Sequence, residues 1–130
     1  GENVSTSEVA AAIAAFPGVK EVNVYAVRVP RTEGAAGMAA LVVEDELDLH
    51  AFRRHVIKAL PPYARPPFLR LTERLAATST FKQTKADLQR QGFDPAMTGD
   101  PLYFNDPAKG KFVTLDLALH AYIAAGKVRF

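Results

Sequence analysis

The sequence predicts a small α+β domain, a sheet of about three strands with helices packed on it. Two patterns lead to this prediction. Apolar residues recur at helical spacing in several stretches. Two neighbouring stretches have strand patterns instead, one an alternation of apolar and polar residues and the other a continuous apolar run. The chain has 130 residues, 48% of them hydrophobic, which is enough for one core and too short for a large multidomain enzyme.

The first predicted element is a helix that begins near Ser5. Ser5 and Glu8 have the S-x-x-E spacing of a capping box, in which a hydroxyl and a carboxylate satisfy free backbone donors at a helix start. Over residues 9–16, apolar side chains recur at the i, i+3, i+4, i+7 spacing of one buried face. Pro17 and Gly18 then end the helix.

A hairpin of two strands is predicted next. Residues 20–29 alternate between apolar and polar side chains, which is the pattern of a half-buried strand. The loop PRTEGAAG at 30–37 leads to MAALVV at 38–43, a continuous apolar run that predicts a strand covered on both faces. We expect the two strands to pair with each other.

A second helix is predicted at 49–60, where apolar residues again share one face. Asp48 is expected to cap its start, and two prolines follow its end. Phe52 and Ile57 are expected to lie in the core. The prediction therefore places this helix against the sheet.

Three further elements complete the predicted domain. PPFLRL at 66–71 predicts a third strand, although the sequence does not show how it aligns with the hairpin. A short helix is expected from Lys85 to Gln91, closed by Gly92. The last helix is predicted at 114–125, with Tyr122 on its buried face.

Composition argues against several classes of function. There is no cysteine, and the three histidines, His50, His55 and His120, are scattered, so we expect no disulfide and no metal site. The formal charge of +2 is too small to indicate nucleic-acid binding by itself. The longest apolar run is far shorter than the roughly 20 residues that span a bilayer.

A candidate functional residue, Lys82, lies in the polar stretch TSTFKQTKADLQRQGF at 78–93, just ahead of the short predicted helix. A surface lysine is most often only a solvated charge. A lysine on a flexible loop is also a long-stemmed point charge that suits the neutralisation of phosphate or carboxylate. The residues alone leave both interpretations open.

Four stretches, taken together and in order, resemble a known family. They are GENVSTSEV at 1–9, VRVPRTEGAAGMAALVV at 27–43, TSTFKQTKADLQRQGFDP at 78–95 and DPLYFNDPAKGKFVTLD at 100–116. This combination resembles the C-terminal lid domain of adenylate-forming enzymes, specifically the branch of very-long-chain acyl-CoA synthetases and fatty acid transport proteins. The resemblance covers nearly the whole chain.

The resemblance implies a ligase that activates a fatty acid with ATP and Mg²⁺ to an acyl-adenylate and then transfers the acyl group to coenzyme A. In this family the small C-terminal domain rotates against a large adenylate-binding domain between the two steps. That N-terminal domain would be the partner of this chain, which we expect to be a piece of a longer protein and inactive alone. No ligand is expected to bind tightly to the piece by itself, and no nucleic acid is expected as a partner.

The resemblance also assigns roles within the polar loop. Lys82 falls on the catalytic lysine, which bridges the fatty acid carboxylate and the adenylate phosphate. Thr80 and Lys85 are accessory candidates, although Lys85 also fits a solvated helix charge. Ser79 stands where the branch often has glycine, and Phe81 precedes the lysine where many other members of the superfamily have glycine. The second departure favours the very-long-chain branch.

Gly1, Glu2 and Asn3 fall on the family loop that lines the channel for the pantetheine arm of coenzyme A. A glycine there lets the backbone lie close to a narrow ligand. The alternative is that these residues only lead into the capping box.

We expect residues 1–96 to form the lid domain and residues 97–130 a C-terminal extension packed on it. The alternative function is a noncatalytic lipid-uptake or interaction module of the same family, and an independent phosphate-binding or nucleic-acid-binding module is a third. The alanine-rich, tryptophan-free composition favours a bacterial source. We expect a cytoplasmic protein, and peripheral membrane association of the whole protein stays open.

Overall fold

The computed structural model describes residues 5–31, 34–73 and 84–128. Within these ranges the chain forms four α-helices, one 3₁₀ turn and five strands. In chain order these are α1 (Thr6–Ala14), β1 (Val19–Arg28), β2 (Ala35–Val43), α2 (Leu49–Ala59), the 3₁₀ turn (Pro62–Ala64), β3 (Phe68–Leu71), α3 (Lys85–Gln91), β4 (Leu102–Asp106), β5 (Lys111–Thr114) and α4 (Leu117–Ala124).

One mixed sheet runs through the domain in the order β1-β2-β3-β4-β5. The predicted hairpin is confirmed, since β1 and β2 pair antiparallel with Tyr25 opposite Met38. The alignment that the sequence left open is parallel, with Met38 opposite Phe68, so β3 begins at the same edge as β2. The remaining pairs, β3 with β4 and β4 with β5, are antiparallel.

The predicted α+β fold is confirmed, but the number of strands was underestimated. The structure has five strands instead of about three, and the two additional ones, β4 and β5, lie in the segment predicted to be a C-terminal extension. Each has five residues or fewer, and β4 is held by backbone bonds to β3, a partner 36 positions away in the register of Phe68 with Phe104. Strands this short have little periodicity of their own, so their partner determines them.

Both faces of the sheet are covered, as MAALVV predicted. Met38 and Ala40 in β2 contribute to a core with α3, α4 and the aromatic rings of the C-terminal segment. The alternate residues Ala39 and Leu41 face the other way, into a core with α1 and α2. Phe104, on β4, is 1% exposed. The domain therefore has three layers, helices on either side of the sheet.

The helix starts are close to prediction, and the buried faces are less so. The Ser5 hydroxyl accepts a hydrogen bond from the Glu8 amide at 3.3 Å, and Asp48 caps α2. Ile57 was expected in the core but is 37% exposed, because Phe52 and Val56 occupy the stripe of α2 that faces the sheet.

The last helix begins later than predicted, at Leu117, because residues 111–114 pair with β4 as a strand. Asp116 is its cap, and its side chain accepts a hydrogen bond from the Leu119 amide at 2.8 Å. Tyr122 was expected on the buried face but is 50% exposed, whereas Ile123 is fully buried. Among the described residues, no helix combines the length and apolar character that crossing a membrane would require.

Candidate functional site

Most of the residues that the resemblance assigns to catalysis lie outside the described ranges. These are Gly1, Glu2, Asn3, Thr80 and Lys82. Lys85 is described, as the exposed first residue of α3. Two sites can nevertheless be built from described residues: the anchors on either side of the Lys82 loop, and a groove at one edge of the sheet.

The start of α3 anchors the chain immediately after the Lys82 loop. Thr84 and Asp87 form a reciprocal capping box, in which the Thr84 hydroxyl accepts from the Asp87 amide at 3.1 Å and the Asp87 carboxylate accepts from the Thr84 amide at 3.2 Å. These bonds from Thr84 lower the pKa of the Asp87 carboxyl, the backbone bond contributing most. The helix that follows Lys82 therefore has a defined first turn.

The other anchor is the end of β3, and a buried arginine joins it to α3. Arg70 is 1% exposed and donates from Nε to Asp100 Oδ2 at 2.8 Å, from Nη1 to Gln91 Oε1 at 2.5 Å and from Nη2 to Thr98 Oγ1 at 3.0 Å. Gln91 is the last residue of α3, and Asp100 and Thr98 precede β4. One side chain thus ties together the strand before the Lys82 loop, the helix after it and the C-terminal segment.

Sequence analysis did not single out Arg70. Its alternation with Leu69 and Leu71 indicated only that this stretch could form a strand. The structure buries it because the chain between α3 and β4 covers this face and supplies its three acceptors. Nearby, burial raises the pKa of the Tyr25 hydroxyl well above its usual range, an effect that the Arg70 charge opposes and the Asp100 charge reinforces.

The second site is an open groove of about 780 Å³ at the edge of the sheet where β1 ends and β2 and β3 begin. Its described lining consists of Arg31, Ala35, Ala36, Gly37, Arg53, Pro62, Tyr63, Arg65, Pro67, Phe104, Asn105, Pro107, Gly126 and Val128. We call this the arginine groove. Eight different elements and connecting segments contribute to it, and none of its described lining residues carries a carboxylate.

The three arginines of the groove give it a positive field with defined geometry. Arg65 is fixed by bonds from Nε to the Leu60 carbonyl at 2.8 Å and from Nη2 to the Ile57 carbonyl at 2.9 Å. Arg53 donates from Nε to Asn105 Oδ1 at 2.8 Å. A guanidinium has a planar fork of donors that matches phosphate, and it stays charged throughout the physiological pH range.

Tyr63 adds an aromatic ring to this cationic groove. Its side chain is 59% exposed, at the 3₁₀ turn between α2 and β3. An exposed aromatic ring beside guanidinium groups suits a ligand that carries both phosphate and a flat heterocyclic base. The arrangement can therefore bind a nucleotide.

Few features of the sequence indicate this groove. Arg31, Arg53 and Arg65 lie in three separate parts of the chain. They meet at one edge of the sheet because β2 and β3 pair in parallel and so begin at the same edge. A local signal does exist at Tyr63 and Arg65, which stand between two pairs of prolines. Prolines restrict the backbone, and such a rigid loop presents its side chains in fixed directions. Among the described residues, no group of three or more metal-ligating side chains is placed to hold a metal ion.

Comparisons with known proteins agree with the fold. The family model for the AMP-binding enzyme C-terminal domain matches residues 8–82. The chain belongs to this family. Human long-chain fatty acid transport protein 3 is 51% identical over 99% of the chain, and mouse long-chain fatty acid transport protein 1 is 48% identical over 97%. The resemblance to the C-terminal domain of adenylate-forming enzymes, in the branch that includes the fatty acid transport proteins, is therefore confirmed.

Solved structures show the same fold. A Mycobacterium tuberculosis fatty acyl CoA synthetase matches 70% of the chain, and 18% of its own length, with a TM-score of 0.57 and 28% identity. Apo MatB from Rhodopseudomonas palustris matches 69% of the chain and 18% of its own length with a TM-score of 0.59, and at 24% identity it supports the fold alone.

Two consequences follow from the relatives. The chain spans about a fifth of the length of the curated relatives, 19% of the human protein and 20% of the mouse protein. The expectation of a cytoplasmic protein from a bacterial source is wrong, because these relatives are mammalian fatty acid transport proteins. An alanine-rich composition without tryptophan does not identify a source.

Proposed function

We propose that this chain is the C-terminal lid of a fatty acid-CoA ligase and acts with a large adenylate-binding domain of the same protein. In the first step a fatty acid carboxylate oxygen attacks the α-phosphorus of ATP, forming an acyl-adenylate and releasing pyrophosphate. In the second the coenzyme A thiol attacks the acyl carbon, forming the thioester and releasing AMP. The observation that carries the proposal is the arginine groove.

Coenzyme A has the chemistry that the arginine groove fits. Its nucleotide end carries an adenine, a 3′-phosphate and a diphosphate, so it presents several negative charges next to a flat base. Arg31, Arg53 and Arg65 would pair with the phosphates, and Tyr63 would contact the base. The volume of about 780 Å³ lies within the range of roughly 300–1,000 Å³ that small-molecule sites occupy.

Lys82 remains our proposed catalytic residue for the first step. Attack of a carboxylate on a phosphate brings two anions together, and an ammonium group between them stabilises the transition state by electrostatics. Thr80 and Lys85 are proposed as accessory groups, the second because it is exposed on the first turn of α3. ATP and Mg²⁺, which neutralises phosphate charge, are assigned to the large domain, and no described residue is assigned to either.

Gly1, Glu2 and Asn3 are proposed to line the pantetheine channel once the large domain is in place. This part of the proposal rests on the family resemblance alone. We also propose that residues 1–96 form the common lid and residues 97–130 an extension that packs within the same single domain; the family match ends inside the first part, at residue 82. A noncatalytic lipid-uptake module is the second candidate function, because the relatives are named as fatty acid transport proteins. The cationic groove favours the ligase, because a fatty acid offers only one negative charge.

The test compares the full-length wild-type protein with Lys82→Ala in two assays, fatty-acid-dependent ATP-pyrophosphate exchange and thioester formation from preformed acyl-adenylate. Lys58→Ala, at an exposed lysine in the last turn of α2, is the matched control. We expect exchange to fall by about 100-fold or more in Lys82→Ala, while thioester formation survives. If both activities stay at the level of Lys58→Ala, the proposed role of Lys82 is wrong. If the wild type itself forms no thioester, the ligase proposal fails.

A further inference from the structure

One wall of the arginine groove is built by the C-terminal segment, residues 97–128 of the described chain. Phe104, Asn105, Pro107, Gly126 and Val128 line this wall. The family match ends at residue 82, so the wall lies outside the part of the chain that the family model covers. The groove therefore combines residues of the common domain with residues that follow it.

Asn105 contacts the first of two groove arginines. The Oδ1 atom of Asn105, on β4, accepts a hydrogen bond at 2.8 Å from Nε of Arg53, on α2, in a half-buried position. Within the described part of the chain, the Nη atoms of Arg53 have no hydrogen-bond partner. Asn105 thus occupies the inner nitrogen of the guanidinium and leaves its outer edge for a ligand.

Gly126 contacts the second arginine. It has a φ of +78°, and a Cβ built on it would lie 3.1 Å from Cβ and 3.3 Å from Cδ of Arg31. A side chain at this position would therefore require the Arg31 side chain to shift by a few tenths of an ångström, in addition to the strain of a positive φ. Arg31 itself has a φ of +63°, which is uncommon for a non-glycine residue and fixes the direction in which its side chain leaves the loop.

The side-chain contact of Asn105 with Arg53 is independent of the backbone bonds that Asn105 makes within the sheet. The Asn105 amide bonds the Pro67 carbonyl at 2.8 Å, and this backbone bond holds β4 beside β3 whatever the side chain is. The Asn105 side chain makes a separate contact, in which its amide oxygen accepts a hydrogen bond from the Arg53 guanidinium. A core residue would not need it, since an apolar side chain would fill the same place without requiring a partner.

We propose that the C-terminal segment is part of the ligand-binding machinery of the groove, in which Asn105 and Gly126 are positioning residues that direct Arg53 and Arg31 toward the phosphates of coenzyme A. The inference rests on the proposed function, because it takes the groove as the site of that nucleotide. Its specific content is that affinity for the phosphorylated end of coenzyme A depends on residues beyond the common lid domain.

The test uses the full-length protein and measures KM and kcat for coenzyme A and for dephospho-coenzyme A, which lacks the 3′-phosphate. The variants are Asn105→Leu, Arg53→Gln and the double variant, with Tyr103→Phe as a control in the same strand outside the groove lining. We expect Asn105→Leu to raise KM for coenzyme A about tenfold with little change in kcat, and to narrow the preference over dephospho-coenzyme A. The double variant should match Arg53→Gln alone, since Asn105 acts through Arg53.

Gly126→Ala provides an independent arm if Asn105→Leu yields too little folded protein. It should raise KM for coenzyme A by displacing Arg31. The inference is overturned if wild type forms the thioester while Asn105→Leu and Gly126→Ala keep its KM, or if the effects of Asn105→Leu and Arg53→Gln simply add. If the wild type does not use coenzyme A at all, the proposed function is wrong instead.

Discussion

Arg70 and Asp100 form an ion pair with 2.8 Å between Nε and Oδ2, and the arginine side chain is 1% exposed while the aspartate is 27% exposed. The same guanidinium donates two further hydrogen bonds, to Gln91 and to Thr98. A buried charge with its partners in place is tolerated, but removal of one member leaves the others without compensation.

We therefore expect Arg70→Met to destabilise the domain by about 3–5 kcal/mol. Urea denaturation of the 130-residue segment, which has its own core, would measure the loss. Arg90→Met is the matched control, because its pair with Asp87 spans 3.6 Å between exposed side chains, and such pairs contribute roughly 0–1 kcal/mol. Equal unfolding free energies for the two variants would contradict the view that Arg70 organises this region.

The capping box of α3 predicts an acid-dependent weakening of that helix. The pKa of Asp87 is lowered in the folded state by its bonds from Thr84, so the carboxylate stabilises the fold at pH values above the ordinary pKa of 3.8, and this stabilisation is lost as the pH falls through the folded pKa. Amide hydrogen-exchange protection in α3, followed from about pH 6 to about pH 2 and so to well below the ordinary carboxyl pKa, should show the loss in wild type and a flatter profile in Asp87→Asn. Identical profiles would refute the role of the box.

Tyr25 predicts behaviour at the opposite end of the pH scale. Burial raises the pKa of its hydroxyl, so in alkali the unfolded chain loses this proton first and the fold loses stability as the pH rises above the ordinary value of 10.0. Ultraviolet titration of the four tyrosines should show one that ionises only as the protein unfolds. Tyr25→Phe should remove that late step.

The same variant also tests the energetics of the hydroxyl. Among the described residues, the Tyr25 hydroxyl is buried without a hydrogen-bond partner. Its removal should leave stability unchanged or raise it by about 1 kcal/mol, because an unsatisfied buried group costs free energy. A loss of several kcal/mol in urea denaturation would show that the hydroxyl has a partner after all.

Tyr63 provides a test of the arginine groove that does not touch its charges. Tyr63→Ala should raise KM for coenzyme A about tenfold in the full-length protein, since stacking of a base on an aromatic ring contributes roughly 1–3 kcal/mol. Tyr122→Ala is the matched control, with a side chain 50% exposed on α4 and outside the groove lining. If the two variants have the same KM, the groove does not hold the base.

The sequence predicted those elements that depend on local patterns. The β1-β2 hairpin and α3, from Lys85–Gln91 to its glycine cap, were found because alternation, caps and turn residues lie within a few positions of one another. The strands β4 and β5 were missed, since their pairing with β3 is the reason that they are strands.

The candidate sites were predictable only where a family motif exists. Lys82 could be named from its motif, although it lies outside the described residues. The burial of Arg70 was not predicted, because the sequence does not reveal which segment will cover a strand. Arg53 and Arg65 come together with Arg31 through the topology of the sheet, and no spacing in the chain marks them as a set.

The position of β4 beside β3 determines where this domain can be cut. β3 has β2 on one side and β4 on the other. A chain that ended after α3 would leave the amides and carbonyls of β3 open along one side, and an open strand edge is a template for pairing with other molecules. Expression of a shortened lid ending near residue 96 is therefore expected to give aggregates, and solubility should return when residues through β5 are included.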